Sequence, residues 1–147
     1  MHISAKCSVA VHCLLFIAEY GESNKVTSEL LSRSTGINPV TIRNILSALK
    51  KDGIISIKPG TGGAALACPP EGVSLYRICQ TIEPDFLSKL FGVHSAPSHF
   101  CPIGQNIHQV LDASYQKVKD EFSNSLRSIT LADMIAEYYS AAQRKPI

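Results

Sequence analysis

The chain has 147 residues, 45% of them hydrophobic, and its 14 basic and 12 acidic side chains leave a formal net charge of +2. That length is about one domain's worth and can bury a real core, which excludes a disordered or fibrous chain and makes one globular domain with a helical extension the expectation. No run of about 18 apolar residues is present to span a bilayer, and the N-terminus lacks the charged start and cleavage site of a secretory signal, so a cytoplasmic protein is expected.

In chain order, Ile3, Cys7, Ala10, Leu14 and Ile17 recur at three- and four-residue steps, and Val11, Leu15 and Ala18 widen the stripe. The pattern predicts a core helix up to about Tyr20, ended by Gly21. A short second helix is expected over residues 26–35, with Thr27 as its cap, Glu29 in the first turn and Leu30 and Leu31 pointing inward, before Gly36 supplies a tight turn. Asn38 then caps a third helix whose first position is Pro39, where the missing N–H costs nothing. Counted at about 100° per residue, Ile42, Ile45, Leu46 and Leu49 form its apolar stripe, while Val40, Arg43, Asn44, Ser47 and Lys51 fall opposite. Helix, turn and helix follow at the length of a helix-turn-helix.

Asp52 and Gly53 end that helix, residues 54–58 alternate as a strand, residues 59–63 turn, and residues 64–68 return. This two-stranded hairpin is a candidate wing, with Gly60, Gly62 and Gly63 permitting positive φ and close backbone approach to another chain. No GxxxxGK[ST] or GxGxxG pattern makes it a phosphate cradle. The outer face of the third helix carries the residue types that read a major groove, since Arg suits guanine and Asn suits adenine, whereas Ser and Lys hold phosphate. Alone, such a face also fits an ordinary solvated helix; the helix before it and the hairpin after it point to DNA. The net charge is modest, so affinity has to come from local clustering of Arg33, Arg43, Lys50, Lys51 and Lys58, and from a dimer that doubles the contacts. The DNA-binding residues expected from this reading are Thr27, Ser28, Asn38, Pro39, Val40, Thr41, Arg43, Asn44, Ser47, Lys50, Lys51, Lys58, Gly60, Thr61, Gly62 and Gly63.

Beyond the wing, residues 73–83 read as a core helix using Val73, Tyr76, Ile78 and Cys79. Pro84, Gly92, Pro97, Pro102 and Gly104 then break up an irregular connector. From about Asn106 a long amphipathic helix is expected, with Ile107, Leu111, Val118, Phe122, Leu126 and Ile129 on one side, too long to be covered by the small module alone. A second copy of the same helix is its expected partner, giving a twofold dimer. Thr130 and Asp133 form a capping pair that opens a last helix, with Leu131, Met134, Ile135 and Tyr138 inward and a frayed tail from Gln143. The expected organisation is thus mostly α with a small two-stranded β wing: a winged helix-turn-helix domain at 1–83, a connector or sensor loop at 84–105, and dimerisation helices at 106–147.

The run GTGGAALACPPEGVSLYRICQTIE resembles the wing and following helix of the IscR/NsrR/CymR family of bacterial regulators, whose pattern is roughly GxGGxxLAxPPExIxLxxVxxAVE. INPVTIRNILSALKKDGII resembles that family's recognition helix, and SLRSITLADMI its C-terminal signature. The resemblance implies a homodimeric transcription factor, commonly a repressor, that binds palindromic promoter DNA. It breaks at Ala64 and Ala65, where the family carries an aromatic and a long polar residue, and at Arg43, where several relatives carry an acid. The operator sequence therefore does not carry over.

Iron–sulfur members of that family place three cysteines in the connector, because a cluster needs several converging thiolates. Here the connector holds Cys101 alone, and the five cysteines at 7, 13, 68, 79 and 101 form no CxxC, so no cluster or other cofactor is expected. Cys7, Cys13, Cys68 and Cys79 read as small buried hydrophobes. Cys101 has His94, His99 and His108 nearby in sequence, which leaves three readings open: an inert loop residue, a thiol redox switch activated by an imidazolium, or part of a metal-responsive site. An enzyme with Cys101 as nucleophile and His99 or His108 as base lacks an oxyanion loop and an ordered carboxylate, so no enzymatic activity is expected. A winged helix that binds protein rather than DNA would have no need of Arg43, Asn44 and the outer lysines.

Overall fold

The apolar patterns fold into six α-helices and one hairpin in a computed structural model that describes residues 4–60 and 63–142. Ile3, Thr61, Gly62 and the tail from Gln143 lie outside the described residues. Helix α1 spans Ala5–Tyr20, α2 Ser28–Thr35 and α3 Pro39–Lys51; strands β1 (Ile55–Lys58) and β2 (Gly63–Leu66) follow, then α4 (Leu75–Ile82), α5 (Pro102–Ser128) and α6 (Leu131–Ala141). The strands pair antiparallel, with Ile55 opposite Leu66 and Lys58 opposite Gly63. The architecture is the expected one, mostly helical with a two-stranded wing and a long C-terminal helix.

Core helix α1 is the hub. Its buried Ala10, Cys13, Leu14 and Ile17 meet Leu31 of α2, the stripe Ile42, Ile45, Leu46 and Leu49 of α3, Ile55 and Ala64 of the hairpin, Ile78 of α4 and Leu131 of α6. Leu30, expected inward beside Leu31, is only half-buried. The expected caps are in place: Thr27 accepts from the Leu30 N–H at 3.2 Å and Asn38 from the Val40 N–H at 2.7 Å. Thr130 and Asp133 form a reciprocal capping box.

Two expectations change. Residues 73 and 74 are not part of α4: Pro70–Gly72 make a 3-10 turn, Val73 follows it in extended conformation, and Ser74 is the true cap, accepting from the Arg77 N–H at 3.0 Å. Within the irregular connector, Phe86–Lys89 form a second 3-10 turn whose Phe86 is buried with Cys7 and Cys79 in a satellite core. The long helix begins at Pro102, four residues earlier than expected. Pro102 reads as a breaker in the sequence but occupies the first helical position, where proline is tolerated. Gly104 follows in the first turn, where a Cβ would run into the backbone of Ser98 folded down against it. Phe91 stacks on Tyr115 at 4.1 Å between ring centroids and pins the connector along α5.

A tie that no local pattern announces closes the fold. Leu75 N–H donates to the Ile129 carbonyl and Leu131 N–H to the Val73 carbonyl, both at 2.7 Å, so a small β-bridge joins the start of α4 to the α5–α6 corner.

Gly63 and Gly60 both have positive φ, +69° and +80°, but only Gly63 is crowded: its Cβ would stand 2.7 Å from the Val26 nitrogen. Gly63→Ala is therefore expected to lower the unfolding free energy by about 2–4 kcal/mol, whereas Gly60→Ala costs about 1–2 kcal/mol from backbone strain alone. Paired thermal or urea denaturation of the two variants checks the difference.

Candidate DNA-binding face

The four apolar side chains of α3 are buried, which leaves its opposite face no choice but to point outward. Val40, Arg43, Asn44, Ser47, Lys50 and Lys51 are exposed there. Both ends of the helix are fixed. Asn38 caps the N-terminus, with Pro39 half-buried behind it. At the other end, Arg77 of α4 donates to the Asp52 carboxylate at 2.9 Å and to the Asp52 carbonyl at 2.8 Å, and Thr81 donates to the same carboxylate at 3.1 Å. The guanidinium, hydrogen-bonded to Asp52, titrates above its ordinary range.

Arg43 and Ser47 line one flank of α3, a cleft of about 370 Å³ between the start of α2 and the wing. Thr41 and Asn44 line the other, a shallow recess of about 120 Å³ shared with Lys6 of α1 and Ile82 of α4. Lys58 is exposed on β1 at the cleft's outer edge. Glu29 faces Arg43 across the cleft at 3.5 Å. A hydrogen bond from its own backbone N–H, the Ser28 hydroxyl at 3.2 Å and the neighbouring Arg43 and Arg33 hold the Glu29 carboxyl below the usual carboxylate range.

Two basic residues of this face escape a reading by motif. Lys25 donates to the Gly60 carbonyl at 2.7 Å and so tethers the wing turn to the α2 entry; the only signal is a lysine two positions before a helix cap. Lys6 reaches the face from α1, 35 residues before Thr41, and nothing local marks it. Among the expected residues, Thr27 and Asn38 spend their side-chain oxygens on capping and so fix the starts of α2 and α3. Gly63 requires correction: it is buried, and the chain it approaches is its own, with Ala64 N–H donating to the Val26 carbonyl at 2.9 Å. Thr61 and Gly62 lie outside the described residues.

The connector residues come together differently from the metal-responsive reading. Cys101 is exposed as the N-cap residue of α5, with no side-chain capping bond. His108 donates through Nε2 to the His94 carbonyl at 2.7 Å, and Gln105 donates to the His99 carbonyl, so these contacts fasten the connector to α5. Among the described residues no three His, Cys, Asp or Glu side chains gather where they could hold a metal ion. The connector's single thiolate does not fit an iron–sulfur cluster, which is held by several converging thiolates. Cys7 and Cys79 sit side by side in the satellite core, where the hydrogen bond between them and burial push the Cys7 thiol up, and burial pushes the Cys13 thiol up to about 11. No helix among the described residues is long and apolar enough to cross a membrane.

A rigidly seated helix with a basic, hydrogen-bonding outer face, a helix-turn-helix entry and a lysine-edged wing define a DNA-binding transcriptional regulator of the winged helix-turn-helix class. Over residues 3–137 the chain matches Rrf2, described as an iron-dependent transcriptional regulator, and it belongs to that family. It is similar to YwnA of Bacillus subtilis (strain 168), described as a candidate HTH-type transcriptional regulator, at 32% identity over 133 residues, which is 90% of this chain and 96% of YwnA. Among solved structures it is similar to a candidate transcriptional regulator from Lactobacillus plantarum at 30% identity, covering 91% of this chain and 89% of that one with a TM-score of 0.74. T. potens IscR shares the fold at 21% identity, with 99% and 94% of the two chains covered and a TM-score of 0.72.

The thiols differ sharply in access, and alkylation follows the accessible thiolate. Brief iodoacetamide treatment of the native protein is expected to label Cys101 first and to leave Cys7, Cys13 and Cys79 unmodified until denaturant is added, as read by peptide mass spectrometry.

Proposed function

We propose that the chain is a homodimeric, cytoplasmic repressor that binds palindromic promoter DNA through α3 and the wing and works without an iron–sulfur cluster or other bound cofactor. One observation carries the dimer. Helix α5 is 27 residues long, and Ser123 is its single buried residue. Its C-terminal third packs on its own chain through Phe122 and Leu126, but farther up Ile103, Val110 and Val118 are 73%, 57% and 47% exposed. These three lie within about 80° of one another around the helix and form one apolar stripe. A second copy of the same stripe is its natural cover in a twofold arrangement, which would present two α3 faces to two half-sites.

In this reading Arg43 and Asn44 read base edges, Val40 meets a thymine methyl, and Ser47, Lys50, Lys51 and Lys58 hold phosphate with the help of Ser28, Thr41 and the Gly60 turn. Lys6 and Lys25 join them. The reading without an iron–sulfur cluster rests on the connector's single cysteine. Cys101, exposed where α5 begins, is the candidate for oxidant sensing: a peroxide would take its thiol to the sulfenic acid with loss of one water.

Selection from a random duplex pool followed by binding at several salt concentrations tests the assignment. Binding is expected to weaken steeply with salt. Arg43→Ala should lose about 1–3 kcal/mol of discrimination at one base pair, while Lys58→Ala weakens every sequence alike and lowers the salt slope by about 1. Salt-independent binding, or binding to a protein instead, would overturn the reading. For the dimer, Val118→Glu should halve the mass seen by light scattering and weaken operator binding while the helical circular dichroism stays unchanged; an unaltered mass would place the interface elsewhere.

A further inference from the structure

The cleft between α2, α3 and the wing is lined by three cations, Lys25, Arg43 and Lys58, and by one acid, Glu29. A carboxylate on a surface meant for DNA repels every phosphate that approaches it, so its presence is a cost to general affinity. The acid is not remote from the reading side chain: Glu29 lies 3.5 Å from Arg43, and their side chains are 63% and 54% exposed, so both remain open to a ligand. The Ser28 hydroxyl donates to Glu29 Oε2 at 3.2 Å and steadies the carboxylate in the first turn of α2.

The two side chains together offer guanidinium donors beside carboxylate acceptors. In the major groove a guanine–cytosine pair offers the complement, with acceptors at guanine O6 and N7 and a donor at cytosine N4. A phosphate offers acceptors only. Arg43 can satisfy a phosphate, but Glu29 finds nothing to accept from one and meets only like charge. An acid in the first turn suits the start of α2 wherever its side chain points, and an exposed ion pair contributes little to fold stability, so fold stability does not account for the acid's place beside Arg43.

We infer that Glu29 is a specificity-determining residue which, with Arg43, reads a single guanine–cytosine pair and disfavours attachment to phosphate alone. The inference rests on the assignment of the α3 face to the major groove. It differs from a purely attractive Arg43 contact because it predicts that losing the acid strengthens binding to the wrong DNA.

Full-length protein and its Glu29→Gln, Glu29→Asp and Arg43→Ala variants are compared on the selected operator and on a random duplex, each across a salt series. Glu29→Gln is expected to tighten binding to random duplex and to lower the operator-to-random affinity ratio about tenfold, with a salt slope on random duplex steeper by about 1. Renewed selection with that variant should lose the guanine–cytosine preference at one position. Glu29→Asp keeps the charge and should keep the parental salt slope. In an Arg43→Ala background the same Glu29→Gln change should leave that position's preference unaltered. An unchanged ratio and slope for Glu29→Gln, in a protein that does select an operator, would overturn this inference alone. A parent chain that selects no sequence would overturn the groove assignment and this inference together.

Discussion

Everything the outer face of α3 does depends on the burial of the four apolar side chains behind it. Ile42, Ile45, Leu46 and Leu49 are each buried against the α1 hub or its neighbours. Burying one such side chain is worth about 1.5–3 kcal/mol, an upper figure because the unfolded chain is itself partly compact. An exposed ion pair is worth about 0–1 kcal/mol. The apolar stripe therefore decides how the helix is rotated, and Arg43, Asn44, Ser47 and Lys51 inherit their direction from it. Their own interactions are too weak to compete, which leaves them free to be chosen for a partner.

Rotation alone does not fix a reading head; its ends must also be held. The N-terminal end is fixed by the Asn38 cap and the C-terminal end by Asp52, which accepts from Arg77 and Thr81 of α4. Because α4 is in turn bridged to the α5–α6 corner through Val73, Leu75, Ile129 and Leu131, the position of α3 is mechanically continuous with the long helix. Lys25, bonded to the Gly60 carbonyl, does the same for the wing, so wing and helix present a single cationic surface despite a net charge of only +2.

Much of this was legible in the sequence because it is local. A cap such as Asn38-Pro39, a period of 3.6 in α1 and α3, and a Thr130-to-Asp133 box are decided by neighbours a few residues away, and the structure keeps all of them. The misses are non-local or ambiguous. Pro102 and Gly104 are chemically the same whether they break a helix or open one; the choice was made by Ser98 closing on Gly104 and by Phe91 stacking on Tyr115. Gly63 looks in sequence like space for a partner's backbone, yet the backbone that needs the space is at Val26, 37 positions earlier. Lys6, Lys25 and the facing of Glu29 to Arg43 are likewise products of tertiary packing, which periodicity does not encode.

The geometry of α5 bears on how two reading heads could be spaced. Twenty-seven residues at about 1.5 Å each make a rod of about 40 Å. Half-sites one helical turn apart need about 34–36 Å between recognition helices. The rod carries glycine only in its first turn and no proline after position 102, so it has no interior hinge at which that spacing could relax. In the proposed dimer the copies would therefore hold their α3 helices at a set distance rather than on flexible arms, and the search for two half-sites becomes one docking event. In that arrangement Cys101 and the pinned connector lie at the end of α5 opposite the bridge to α4 and beside Ile103 of the proposed seam, so a chemical change there would reach the α3 helices through the contact between the two copies.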